Sequence, residues 1–288
     1  MAILKLDDAE IHYETAGEGP ALMFLSATAW HGGVWNLHQV PYFSKTHKVI
    51  VFDQRGTGKS RTASEDFSTE RLADDAIRLL DHLGAERASL VGHSNGGRVA
   101  QMLALLHPPR VDKLVLLSAG ATHASKGIPL AMCIELERKG YLRYFRDHAI
   151  ETGVTGSFAA AHPRELETFL RELADNLTPL ETFLRYVIGR QQSDTTSRLG
   201  EIRAPTLVLI GSDEDHGSSP GATHMDFART LAREIQNAEL VVLPGQGHFY
   251  PFLAPQETNA IIAAFLRKHD DLDGLPHAAN AAANASGR

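Results

Sequence analysis

With 288 residues, 43% of them hydrophobic and 22% charged, the chain has the composition of a globular protein, either one large domain or a core with an insertion. A formal net charge of -7 with no offsetting lysine–arginine cluster excludes a nucleic-acid surface. The single cysteine, Cys133, excludes an internal disulfide and fits a reducing compartment. No apolar run approaches the ~20 residues a bilayer span needs, and the early acidic pair of MAILKLDDAE does not suit a signal peptide. A cytoplasmic protein without a membrane partner is expected.

Along the chain, short apolar runs alternate with longer helical patterns. Strands are predicted at Ile3–Leu6, Glu10–Thr15, Ala21–Leu25, Lys48–Phe52, Ala88–Val91, Lys113–Leu117, Thr206–Ile210 and Glu239–Leu243. Helices are predicted at Thr69–Leu83, Gly96–His107, Ala222–Ile235 and Gln256–His269. The turn Gly17-Glu-Gly-Pro20 predicts a hairpin between its flanking strands. The later alternation predicts an α/β fold: a mostly parallel sheet, eight-stranded by this count, with helices on both faces and chemistry at the carboxyl ends of its strands.

Between residues 121 and 200 the alternation stops. Helical pieces at Ile128–His148, Arg164–Asn176 and Leu180–Gln191 predict an inserted helical lid. The pentapeptide ETFLR occurs twice there, at Glu167–Arg171 and Glu181–Arg185, but its surroundings do not repeat. The expected division is a core over 1–120, the lid over 121–200, the rest of the core over 201–269, and a disordered tail over 270–288 that is rich in alanine, asparagine and glycine.

The stretch Val49–Ser60, VIVFDQRGTGKS, ends like a nucleotide-binding phosphate loop. Its first loop position is Asp53 where that motif needs glycine, and a carboxylate there would oppose phosphate charge. No helical period follows, so the nucleotide reading fails.

The stretch SLVGHSNGGRVA, Ser89–Ala100, contains Gly92-His93-Ser94-Asn95-Gly96 between a predicted strand and a predicted helix. That is the context a nucleophile elbow requires, with Ser94 on a strained turn and glycines where side chains would collide. From these residues the chain resembles the α/β-hydrolase superfamily, through about His269. The resemblance implies that fold with a helical cap. It also implies that Asp53-Gln-Arg-Gly-Thr-Gly-Lys-Ser60 is a structural loop anchored by Asp53 and Arg55.

A serine needs a base to take its proton. Of fifteen histidines, His248 in LPGQGHFYPF follows a late strand and matches the superfamily's PGxGH position, which makes it the expected base. His93, beside the serine, is expected to line or support the pocket. The resemblance places the supporting acid at a GxxD position after the strand that follows the lid. In LVLIGSDEDHGSSP the third residue after Gly211 is Glu214, flanked by Asp213 and Asp215. Asp215 is the expected acid, on the assumption of one inserted residue, with Asp213 and Glu214 as alternatives. A metal site from Asp213, Asp215, His216 and His224 matches no zinc spacing, so no metal and no cofactor is expected.

The oxyanion is expected to be held by two backbone amides, those of Asn95 and Thr28. The superfamily often has His-Gly where this chain has Ser26-Ala27, and His31-Gly32-Gly33 is the alternative loop. Lid aromatics predict a largely apolar pocket of moderate size. The expected function is a cofactor-independent serine hydrolase cleaving a small or medium ester or lactone through an acyl-enzyme on Ser94. Carbon–carbon hydrolysis or perhydrolysis by the same residues, and a non-catalytic small-molecule receptor, are the alternatives.

Overall fold

The computed structural model describes residues 2–123, 127–214 and 223–273. Nine strands form one sheet: β1 (Ala2–Lys5), β2 (Ala9–Ala16), β3 (Ala21–Leu25), β4 (Lys48–Phe52), β5 (Arg61–Thr62), β6 (Ala88–His93), β7 (Val111–Leu117), β8 (Thr206–Gly211) and β9 (Ala238–Leu243). Eight of them run in the order β1-β2-β4-β3-β6-β7-β8-β9. The ninth, β5, has two residues, pairs with β2 and is too short to be predicted from pattern. From β4 to β9 all neighbours are parallel.

The predicted hairpin across Gly17–Pro20 does not form. β2 pairs antiparallel with β1 and β4, whereas β3 lies between β4 and β6 with parallel partners on both edges. The glycines serve a crossing instead of a hairpin turn. Gly17 and Gly19 take φ +79 and +112, and a Cβ on Gly19 would come 2.7 Å from the Thr46 carbonyl oxygen.

Pleat alternation sorts the apolar residues onto two faces. On β3, Met23 and Leu25 join the core cluster that contains Leu72 and Leu79, while Leu22 and Phe24 join the opposite one. The helices are α1 (Gln39–Phe43), α2 (Thr69–His82), α3 (Asn95–Leu106), α4 (Leu130–Lys139), α5 (Tyr141–Gly153), α6 (Gly156–Ala161), α7 (Pro163–Asp175), α8 (Leu180–Gln192), α9 (His224–Glu234), α10 (Tyr250–Leu253) and α11 (Pro255–Asp273). Helices α2, α3 and α9 cover one face, and α1 and α11 the other.

Helices α4 to α8 intervene between β7 and β8. The single helix expected over Ile128–His148 is two, because Gly140 at φ +76 ends α4 and starts α5 in a new direction. Residues 270–273, expected in the tail, belong to α11, which continues through Asp273; the remainder of the expected tail, 274–288, lies outside the described residues. Among the described residues no helix is long and apolar enough to cross a membrane.

The Asp53–Ser60 loop is held from within. Asp53 accepts from the amides of Gly32 (2.7 Å) and Lys59 (2.8 Å), and Ser60 Oγ donates to the Asp53 carbonyl at 2.6 Å. Arg55 is fully buried and makes a bidentate pair with Asp75 at 2.7 and 2.8 Å, with Asp8 on its outer side at 3.2 and 3.4 Å. Burial opposes the guanidinium charge, and the bonds to Asp75 and Asp8 hold it protonated. Breaking a buried pair strands the remaining charge, at a cost of about 3–5 kcal/mol. Because Asp8 remains, Asp75→Asn is expected at the lower end, about 3 kcal/mol, measured by urea unfolding. A loss under 1 kcal/mol would show that Asp8 alone holds the arginine.

Candidate active site

Ser94 stands where β6 turns into α3. Its backbone has φ 54 and ψ -114, a conformation an L-residue adopts only when its surroundings force it. The Ser94 amide donates to the Leu117 carbonyl on β7 at 2.8 Å, which fixes the turn to the neighbouring strand. Glycines make this possible. A Cβ on Gly92 would meet Gly97 Cα at 2.6 Å, and one on Gly96 would meet the Ser26 carbonyl oxygen at 2.7 Å. The start of α3 therefore sits against the loop after β3, and the side chain of Ser94 remains partly accessible.

His248 lies in the loop after β9. Its Nδ1 is 3.0 Å from Glu214 Oε2. Glu214 is buried and also accepts from Ser118 Oγ at 2.5 Å and the Gly211 amide at 2.9 Å. Burial raises its pKa, and the donors from Ser118 and Gly211 oppose that shift. With a carboxylate on Nδ1, the imidazole carries its proton there and leaves Nε2 as the basic nitrogen. Burial first, then the charges of Arg190 and His148, push the His248 pKa down to about 4, so the ring is neutral at pH 7.

Asp215, the acid expected from the sequence, lies outside the described residues, as does His216. The carboxylate that meets His248 is that of Glu214, the third residue after Gly211 with no insertion. Asp213 is half-buried and accepts from Ser212 Oγ at 2.6 Å. Plain spacing from the end of β8 points to Glu214, one of the alternatives; the assumption of one inserted residue points past it to Asp215.

His93 supports the base. Its ring is fully buried, and Nε2 lies 2.9 Å from the backbone carbonyl of His248, which can only accept, so Nε2 carries the proton. Burial, with His248 adding to it, holds the His93 pKa down at about 3. A neutral donor thus ties the two loops together.

Thr28 lies in the loop after β3. Ser26 organises that loop: its hydroxyl donates to the His31 carbonyl at 3.2 Å and accepts from Trp35 Nε1 at 3.0 Å. The Ser26-Ala27 departure therefore has its own internal support. Helix α8 and the segment before it also hold the loop, through Thr178 Oγ1 to the Ala29 carbonyl at 2.7 Å and Arg190 Nη1 to Thr28 Oγ1 at 3.0 Å. The alternative segment His31-Gly32-Gly33 faces elsewhere, with the Gly32 amide committed to Asp53. No acceptor among the described residues takes the amides of Thr28 or Asn95.

Arg190 went unremarked in the sequence. It follows Phe183, Tyr186 and Val187 of α8 at helical spacing, so a cation stands on the stripe that those buried residues define. Its Nε is buried without a hydrogen-bond partner, and no carboxylate among the described residues pairs with it. Burial lowers its pKa to about 10, which leaves it charged at pH 7. Arg98 of α3 donates to the Arg190 carbonyl at 3.2 Å and fixes this end of the helix. By contrast, the aromatics Phe169, Phe183 and Tyr186 are core: Phe169 packs on Trp30, Phe249 and Phe252, and Tyr186 on Phe67.

Ser94, Thr28, Glu214 and His248 all stand at or just beyond the carboxyl ends of parallel strands, where open α/β sheets place their sites. Fold and site together define the class: a hydrolase built on a parallel sheet. The chain belongs to the alpha/beta hydrolase fold family, whose model matches residues 20–255. It is 30% identical over 284 residues to the 2-hydroxy-6-oxo-6-phenylhexa-2,4-dienoate hydrolase of Comamonas testosteroni, covering 91% of this chain and 93% of that one. It is 27% identical over 267 residues to 3-oxoadipate enol-lactonase 2 of Acinetobacter baylyi, covering 92% and 96%. Among solved structures, that of an N-acyl homoserine lactone degrading enzyme is 31% identical, with a TM-score of 0.78 over 92% of this chain and 100% of that one.

Proposed function

We propose that the protein is a serine hydrolase in which Ser94 is the nucleophile, His248 the base and then the acid, and Glu214 the carboxylate that orients His248. The observation that carries the reading is the Glu214–His248 pair at the strand ends, joined through the His248 carbonyl to His93, the residue before the strained serine. Ser94 Oγ attacks the substrate carbonyl carbon as His248 Nε2 takes its proton, and Glu214 stabilises the imidazolium. The amides of Thr28 and Asn95 receive the developing oxyanion. His248 then gives the proton to the leaving alcohol, and a water activated by the same nitrogen releases the acid from the acyl-enzyme.

The substrate class is a small or medium ester or lactone. The relatives named for a dienoate and for an enol-lactone support a carbonyl substrate of that size. A second reading, hydrolysis of a carbon–carbon bond beside a ketone, is favoured by Arg190, whose unpaired charge next to His248 suits a substrate carrying a carboxylate. The lone cysteine supports action in the cytoplasm.

Steady-state kinetics on a panel of short-chain esters and lactones tests the reading. An acyl-enzyme gives a burst of alcohol, and kcat/KM falls on the acidic side as His248 becomes protonated. That limb is expected below the ordinary histidine value of 6.5, because burial and Arg190 disfavour the imidazolium. A limb at or above 6.5 would contradict this placement of the base.

A further inference from the structure

His224 stands at the start of α9, close to His248. Its ring lies 5.3 Å from that of His248, and one ligand atom from each of Glu214, His224 and His248 lies within 4.8 Å of the others. Two imidazoles and a carboxylate form a donor set suited to a borderline divalent cation such as Zn²⁺. Glu214 is buried, whereas His224 and His248 are partly accessible, so an ion has a way in. Tetrahedral zinc with bonds of ~2.0–2.1 Å spaces its donors about 3.4 Å apart. The His248–Glu214 edge already measures 3.0 Å, so His224 makes most of the adjustment by side-chain rotation.

We propose that Glu214, His224 and His248 form an inhibitory zinc site that switches the hydrolase off by changing the tautomer of His248. Without metal, Nδ1 carries the proton toward Glu214 and Nε2 is free to accept one. A zinc ion between Glu214 and His248 takes the Nδ1 lone pair. The ring remains neutral, its one proton moves through solvent from Nδ1 to Nε2, and Nε2 can no longer take the proton of Ser94. No bond in substrate or protein is broken, and no redox change occurs.

The binding arm does not depend on the proposed function; the inhibition arm rests on His248 as the base. The test uses the full chain after EDTA treatment and dialysis. Co²⁺ is titrated as a spectroscopic probe, and Zn²⁺ by competition with a chromophoric chelator, in wild type and His224→Gln. One equivalent is expected to bind wild type, with a visible Co²⁺ band of four-coordinate intensity, and His224→Gln is expected to bind at least tenfold more weakly. In an ester assay Zn²⁺ is expected to inhibit wild type reversibly, with EDTA restoring the rate, and the half-inhibitory concentration to rise at least tenfold in His224→Gln. Thermal melting of the variant shows that it is folded. Absence of stoichiometric binding, or equal affinity in a folded His224→Gln, overturns the site. Binding with undiminished turnover overturns the switch. An enzyme inactive on every ester without metal marks failure of the functional reading, with the site still judged by the Co²⁺ spectrum.

Discussion

Replacing Glu214 with glutamine is expected to lower kcat about 10⁴-fold, the scale seen when the carboxylate of a serine–histidine pair becomes an amide. The amide can present its NH₂ to His248 Nδ1, which then becomes the acceptor. The proton moves to Nε2, and the base is lost while the fold remains. Burial supports this exchange, because Glu214 is shielded and already takes hydrogen bonds from Ser118 and Gly211, which keep the side chain in place. Asp213→Asn and Asp215→Asn are expected to stay within a fewfold of wild type in the same ester assay. A large loss in Asp215→Asn with normal turnover in Glu214→Gln would move the acid one residue along.

Arg190→Gln is the second large effect. If the substrate carries a carboxylate, the lost charge-assisted bond is worth about 1.5–3 kcal/mol, or roughly 10–100-fold in kcat/KM. Neutral esters lose no such partner, so the ratio of kcat/KM for a carboxylate-bearing ester to that for its neutral methyl ester should fall by the same factor. The pH profile provides an independent sign. Arg190 is among the charges that depress the His248 pKa, so its removal makes the imidazolium easier to form and the acidic limb moves up in pH. Unchanged selectivity together with an unchanged limb would show that Arg190 only braces Thr28. Its bond to Thr28 Oγ1 makes some loss of kcat expected on every substrate.

The sequence was most readable where a single local rule decides the outcome. Apolar runs between turn residues located the eight longer strands to within two residues at either end, most clearly β3, β6, β7 and β8, which have parallel neighbours on both sides. Gly92, Ser94 and Gly96 marked the elbow, because a Cβ on Gly92 would collide with the chain's own next turn and one on Gly96 with the loop after β3. Strand order was less readable. The Gly17–Pro20 turn has the composition of a hairpin, yet β4 separates β2 from β3, and pairing of that range is decided by the whole sheet. At the site, Arg190 was obscured because a charged residue on a helix is usually solvated, and only the packing of α8 over Thr28 shows where its guanidinium goes. His224 was weighed with its neighbours in sequence, whereas in space it stands beside His248.

On this reading Ser94 is a nucleophile activated by His248 and by an oxyanion site. Intact mass before and after treatment with a fluorophosphonate, which phosphonylates serines activated in this way, tests it most directly. One adduct per chain is predicted for wild type and none for a folded Ser94→Ala. No adduct on folded wild type, or an adduct that persists in Ser94→Ala, would contradict the assignment.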